Sequence, residues 1–284
     1  MTIQTCVDVG RQRLREAGLS PVEAALDARL LAQHVLGWET ATYFTWANEP
    51  EPNGFAATYG PLVARRAARE PLPYITGRRE FWDLTFEVSP AVLIPRPETE
   101  LIVEAALDLF PLQTDAATIV DACTGSGVVA IALARERPAA RIVATDISSD
   151  ALDVARRNAR RHGAADRVEF VCGDLLDPIT SAVDLIVCNP PYVAEGSRPG
   201  LQPEVRDHEP SVALFGGRDG LHLVTRLIGG APSRLRSGGY LVFEFGFGQD
   251  VEVETLIEAN PHLELLGLRR DLLGIARTAV ARRR

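Results

Sequence analysis

The chain has 284 residues, 46% hydrophobic and 24% charged, a globular composition that suits one large domain or two unequal ones. Its 30 basic residues are all arginines, outnumbered by 38 acidic ones for a net charge of −8, a balance that argues against a nucleic-acid clamp. The absence of lysine excludes Schiff-base chemistry and the GK[ST] phosphate loop. No apolar run is long enough to span a membrane, and the opening MTIQTCVDVGRQRLREAG lacks an apolar signal core, so a cytoplasmic protein is expected. Cys6, Cys123, Cys172 and Cys188 lie far apart with no CxxC pair, and each reads as a small buried apolar residue in a reducing compartment.

Residues 9–19 and 22–36 repeat apolar side chains every three or four positions, which predicts helices, and Pro21 suits a first helical position. A stretch rich in Pro, Glu and Asn (48–54) precedes a further helix at 55–68. Tyr74 and Ile75, Phe81 and Trp82, and residues 84–88 then read as a short β-hairpin with Gly77 near its first bend. From Pro97 onward, short apolar runs at 117–122, 142–144, 168–172, 183–188 and 240–245 alternate with helical segments such as 128–136 and 150–162. That rhythm predicts a doubly wound α/β fold with a parallel sheet covered on both faces, and 263–268 with 276–281 suggest an antiparallel closing pair. The expected domains are a helical one at 1–72, a hairpin connector at 73–94 and an α/β domain at 95–284. Residues 193–220, polar and rich in Gly and Pro, form a connector too long to be idle, directly after a strand end where ligands bind in open sheets.

Two motifs carry chemistry. Asp121, Ala122, Cys123, Thr124, Gly125, Ser126 and Gly127 end the first sheet strand and open a helix, the two glycines permitting a sharp turn and close ligand approach. Asp146 ends the next strand, where a carboxylate accepts both hydroxyls of a ribose. Together they indicate an adenosine-containing cofactor, and a nicotinamide dinucleotide satisfies the same loose glycine pattern. Asp121 favours a methyl donor: a carboxylate there meets a cationic amino group, whereas it repels a pyrophosphate. Asp174 stands where an adenine amino group is read, and a solvated loop carboxylate is the other reading.

The second motif, Asn189, Pro190, Pro191 and Tyr192, ends the fourth strand. A planar amide or aromatic NH2 is a weak nucleophile whose two N–H groups need two acceptors when desolvated. The Asn189 side-chain oxygen and the Pro190 carbonyl supply both, proline fixing the backbone without a competing donor. Holding both hydrogens aims the nitrogen at a methyl group, and Tyr192 offers an aromatic face. The motif indicates methylation of a planar nitrogen and leaves amide and adenine both open. The five histidines have no metal-ligand spacing, so no metal is expected. Glu98 and Glu100 either cap a helix starting near Pro97 or line the cofactor crevice.

With these motifs stand Pro73, Tyr74, Ile75, Thr76 and Gly77; the run Leu93 to Glu100 (LIPRPETE); Glu209 and Pro210; Gly216 and Gly217; Glu244 and Gly246; and Asp271 and Arg277. Over nearly its whole length the chain resembles the HemK/PrmC family, methyltransferases that modify the glutamine of the GGQ motif in peptide chain release factors. The resemblance implies a Rossmann-like class I methyltransferase domain and S-adenosylmethionine as cofactor, leaving as S-adenosylhomocysteine. It places the cofactor at residues 123–127, Asp146, Leu175 and Asn189, and the substrate glutamine at residues 189–192. It also implies that a small N-terminal helical domain grips the release factor. The charge balance and the lack of an apolar span lead to the expectation of no direct nucleic-acid partner and no membrane, and a monomer is expected. Cys123, Pro73, His208 and Trp82 depart from the family's usual residues, Cys123 and Trp82 standing where glycine is common. The Arg156, Arg157, Arg160 and Arg161 cluster reads as a solvated helix face. The competing readings are a DNA or RNA adenine N6-methyltransferase and a cofactor-binding scaffold without chemistry.

Overall fold

A computed structural model of the chain describes residues 1–110, 112 and 116–284, in two compact units: residues 1–77 with 202–208, and residues 78–201 with 209–284.

The first unit is helical. Ile3–Glu16, Pro21–Leu36 and Phe55–Ala67 surround a core that includes Val7, Leu14, Leu31 and Tyr59. Pro21 takes the first helical position after a reciprocal cap: Ser20 Oγ accepts the Glu23 N–H at 3.2 Å, and the Glu23 carboxylate accepts the Ser20 N–H at 3.1 Å. Gly10 is required by packing, since a Cβ there would lie 2.4 Å from the Tyr59 hydroxyl oxygen. Two features were not anticipated. Thr40–Trp46 is a helix, and Tyr74 and Ile75 lie in a helix, Leu72–Thr76, rather than in a strand. Pro73 sits in that helix's first turn and Gly77 closes it at φ +71, so local proline and glycine chemistry overrides the apolar pattern. The short helix Pro203–His208 also belongs to this unit; Glu204 accepts from Arg66 and Arg69, both at 2.8 Å, while Arg66 reaches Asp27 at 2.6 Å.

The second unit opens with the hairpin β1 (Arg78–Phe81) and β2 (Leu84–Glu87). Its two turn residues, Trp82 and Asp83, have φ +50° and +55°, the left-handed pair that a two-residue hairpin needs and that usually falls to Gly or Asn. Trp82 is held there by two bonds: its backbone N–H donates to Glu100 at 3.0 Å and its indole N–H to Glu136 at 3.2 Å. Phe81 and Phe86 enter this unit's core, so the hairpin packs as part of it.

A seven-stranded sheet follows: β3 (Thr118–Ala122), β4 (Arg141–Asp146), β5 (Val168–Cys172), β6 (Val183–Cys188), β7 (Leu235–Glu244), β8 (Leu263–Arg270) and β9 (Ala276–Arg283). The order is β5-β4-β3-β6-β7-β9-β8, parallel through β7, with β9 antiparallel to both its neighbours. Ile119 and Val187 face one apolar layer while Val120 and Ile186 face the other, which explains the unbroken hydrophobic runs of β3 and β6. The α/β prediction and the antiparallel closing pair agree with this sheet. The chain winds outward from β3 to β5, then returns to lay β6 on the other side of β3. Such a reversal opens a crevice at the strands' carboxyl ends, which is where ligands bind. Among the described residues no helix is long and apolar enough to cross a membrane.

Candidate active site

In-register pairing of Ala122 with Cys188 brings the turn after β3 and the motif after β6 side by side at that crevice. A cavity of about 400 Å³ opens there, walled by Asp121, Cys123, Thr124, Gly125, Ser126, Asp146, Asp174, Leu175, Asn189 and Pro191. Ten of the predicted site residues thus converge on one cavity. Gly125 has φ +55°, and a Cβ built on it would meet nothing within 4 Å, so the turn leaves open space beside its backbone. Cys123 is also left-handed, at φ +58°, which accounts for the glycine common in the family at this place.

The carboxylates differ in what already occupies them. Asp121 Oδ2 accepts the Thr124 hydroxyl at 2.6 Å and the Ala130 N–H at 3.1 Å. Burial pushes its pKa from 3.8 up to about 7, against the pull of those two donors. Asp146 accepts the Gly125 N–H at 2.8 Å on one oxygen and the Ser148 N–H at 2.9 Å on the other. Each oxygen keeps lone-pair capacity for a further donor, and burial again raises the pKa. Asp174 is half exposed, lies on the cavity wall and pairs with Arg226 at 2.8 Å.

Asn189 belongs to a buried polar chain. Its Nδ2 donates to Thr99 Oγ1 at 3.0 Å, Thr99 donates to Glu244 Oε2 at 2.7 Å, and the Tyr192 hydroxyl donates to Glu244 Oε1 at 2.8 Å. Burial raises the pKa values of both Glu244 and Tyr192. Gly246 sits tightly beside this motif: a Cβ there would lie 2.9 Å from Gln249 Oε1 and 3.2 Å from Tyr192 Cδ2.

Three predicted residues stand off the cavity wall: Gly127, Pro190 and Tyr192. Gly127 opens the helix Val128–Glu136 at φ +83°, where a Cβ would crowd Ala155 and Ile131 at 3.1 Å, so helix packing demands glycine here. Glu100 spends a carboxylate oxygen on the hairpin turn, and neither it nor Glu98 lines the cavity, so the crevice reading of these two fails. Cys172 is exposed and Cys123 half buried, contrary to the expectation that every cysteine is buried. The long 193–220 segment folds into short helices, Glu195–Gly200, Pro203–His208 and Ser211–Leu214, and supplies Val212, Ala213, Phe215, Gly216 and Gly217 to the wall. Thr99 was missed; its signal was the family-specific run Leu93 to Glu100, read only as a resemblance. Ser148 and Ile147, also on the wall, follow the β4 aspartate without a distinguishing pattern.

A parallel sheet reversed between β3 and β6, with a glycine turn, a second-strand carboxylate and an Asn-Pro-Pro-Tyr motif around one cavity, defines a Rossmann-like methyltransferase. The PrmC N-terminal domain model matches residues 6–77 and the methyltransferase small domain model matches residues 100–201. The chain is 42% identical over 273 residues to a release factor glutamine methyltransferase of Bradyrhizobium diazoefficiens, covering 95% of this chain and 91% of that one. It is 39% identical over 285 residues to another so named in Nitratidesulfovibrio vulgaris, covering 99% and 95%. The protein belongs to the release factor glutamine methyltransferase family. Among solved structures, the hMettl16 catalytic domain, crystallised with an RNA hairpin, overlays with TM-score 0.57 at 18% identity over 77% of this chain and 81% of its own, a likeness of fold.

Proposed function

We propose that this protein transfers a methyl group from S-adenosylmethionine to the side-chain nitrogen (N5) of the glutamine in the GGQ motif of peptide chain release factors. The observation that carries the reading is Asn189 in the wall of the crevice cavity, its NH2 already committed to Thr99 and its oxygen therefore available to a substrate N–H. The residues fit the cofactor. Open space lies beside Gly125, Asp121 suits a cationic amino group, and Asp146 has capacity for two ribose hydroxyls. When bound, S-adenosylmethionine supplies an electrophilic methyl on sulfur. Asn189 Oδ1 and the Pro190 carbonyl then hold the two amide hydrogens and aim the nitrogen, so that orientation lowers the barrier. The methylated amide loses its proton to water, and no protein base is required. Tyr192, anchored on Glu244 behind the cavity wall, keeps the motif's backbone in place.

Residues 1–72 are proposed to grip the release factor, with 73–94 as the connector and 95–284 as the catalytic part. A protein substrate suits the acidic, lysine-free chain better than nucleic acid does, because a phosphate backbone rewards a basic surplus. A cytoplasmic site of action accords with a substrate that works in translation.

Purified protein incubated with S-adenosylmethionine and unmodified release factor is expected to place a single methyl on the GGQ glutamine, located by peptide mass spectrometry. Methylation of nucleic acid with none on the release factor would instead favour the adenine reading. Asn189→Ala is expected to lose nearly all turnover with the fold intact by circular dichroism; an active variant would sink the mechanism.

A further inference from the structure

Behind the residues that line the cavity lies a buried carboxylate, Glu244. It ends β7, is 1% exposed, and among the described residues forms no ion pair, Arg277 acting on it only at longer range. A buried carboxylate at such a place is expensive unless hydrogen-bonded, and its two bonds both run toward the Asn-Pro-Pro-Tyr motif. The apolar alternative, a leucine or methionine packed on the same core, would be cheaper for the fold.

An Asn side chain exchanges its oxygen and its NH2 by half a turn about one bond, so its surroundings must choose which end meets the substrate. The substrate amide presents two donors, and only the oxygen of Asn189 can receive one. A threonine hydroxyl does not make the choice alone, because it has one hydrogen and can either donate or accept. A carboxylate whose two oxygens both accept removes that freedom, because it takes the hydroxyl hydrogen of Thr99. Thr99 spends its one hydrogen on Glu244 Oε2 at 2.7 Å and turns a lone pair to Asn189, whose Nδ2 fills it at 3.0 Å. The Asn189 oxygen is thereby directed away from Thr99. The second Glu244 oxygen holds the Tyr192 hydroxyl at 2.8 Å, so one carboxylate fixes both ends of the motif.

We propose that Glu244 is a positioning residue for methyl transfer, acting through Thr99 to set the direction of the Asn189 amide and through Tyr192 to hold the motif's far end. The proposal rests on the methyl-transfer reading above and goes beyond it, since Glu244 touches neither reactant. Its sharpest consequence concerns an isosteric change. In Glu244→Gln the new NH2 can donate to Thr99, whose hydrogen then turns to Asn189; the amide flips and offers an NH2 to the substrate's N–H donors. Shape is kept and polarity is reversed.

The test measures turnover on release factor, cofactor affinity by calorimetry, and melting temperature for wild type, Glu244→Gln, Thr99→Val and Thr99→Ser. Glu244→Gln is expected to lower kcat by about a hundredfold, with cofactor affinity unchanged. Thr99→Val removes the relay and is expected to fall comparably, while Thr99→Ser, which keeps the hydroxyl, recovers most of that loss. A purely structural role for Glu244 would lower the melting temperature in step with turnover and would not separate Val from Ser at position 99. Glu244→Gln with kcat within about threefold of wild type overturns the proposal, as does Thr99→Val matching Thr99→Ser. Should Glu244→Gln fail to fold, the Val and Ser pair decides. Wild type inactive on release factor would count against the substrate reading alone. The side-chain 15N–1H resonances of Asn189 then report the amide's direction: a shift in Thr99→Val but not in Thr99→Ser supports the relay, and no shift in either overturns it.

Discussion

At the scale of single residues, the site is built from polar groups whose ionisation is biased by burial. Asp121 is held near pH 7 by desolvation, from 3.8 in an open chain. Between those values the folded protein keeps a proton that the unfolded chain has released, so stability falls as pH rises from about 4 to about 7 and levels beyond. Pairing with a cationic amino group needs the carboxylate, so cofactor affinity is expected to rise with pH over the upper part of the same window. Melting temperature and cofactor affinity (1/Kd) measured across that range are expected to move in opposite directions, and Asp121→Asn to flatten both slopes. Asp146 and Glu244 are shifted the same way, so the stability slope shrinks in that variant rather than vanishing. A Kd that ignores pH in the wild type would remove the charge-pairing role. Residue chemistry of this kind was legible from spacing where it follows a strand end, as with Asp121, Asp146 and Asn189. It was illegible for Gly127, whose demand comes from Ala155 on another helix.

Elements explain how the wall is held. The segment that follows Pro203–His208 carries Glu209, 5% exposed, whose carboxylate accepts from Arg96 at 2.5 Å and from the Ile94 N–H at 3.1 Å. Those two bonds fasten the Val212 to Gly217 wall to the strand-like run just before Thr99. Charge-assisted bonds in a buried place are worth more than neutral ones, and removing one partner strands the other. Glu209→Ala is expected to weaken cofactor binding by about tenfold, measured by calorimetry on folded protein; unchanged affinity would show that the wall stands without this clamp. The hairpin makes a similar point. Trp82 in a left-handed turn looks like an error when only turn propensities are consulted. Its two bonds to Glu100 and Glu136 come from elements that are remote in sequence. Trp82→Ala keeps the backbone strain, loses the packing and the indole bond, and is expected to cost about 2–3 kcal/mol in chemical denaturation.

At the scale of the molecule, each unit has its own apolar core: one in the helical unit, and layers on both faces of the sheet in the other. Within the helical unit Arg66 is 5% exposed and serves both Asp27 and Glu204, the latter from a segment 138 positions away. Arg66→Ala leaves two carboxylates without that partner, and a loss of about 3–5 kcal/mol is expected for this unit. Urea unfolding followed by far-ultraviolet dichroism, with cofactor binding read in parallel, distinguishes the outcomes. An early helical transition with binding intact is expected, whereas a single shifted transition that carries binding with it would mean that the units unfold together.

The amino-acid pattern alone determined the alternation of strands and helices, the glycine turn, the second-strand aspartate and the Asn-Pro-Pro-Tyr motif. Each of these is written in neighbouring residues, by periodicity or by the needs of a tight turn. The tertiary structure decided which partners those residues take. Thr99 meets Glu244 across 145 positions and Asn189 across 90, and Glu209 meets Arg96 across 113. A buried hydrogen bond depends on where the sheet order brings two side chains, and strand order is a property of the packed core that no local spacing encodes.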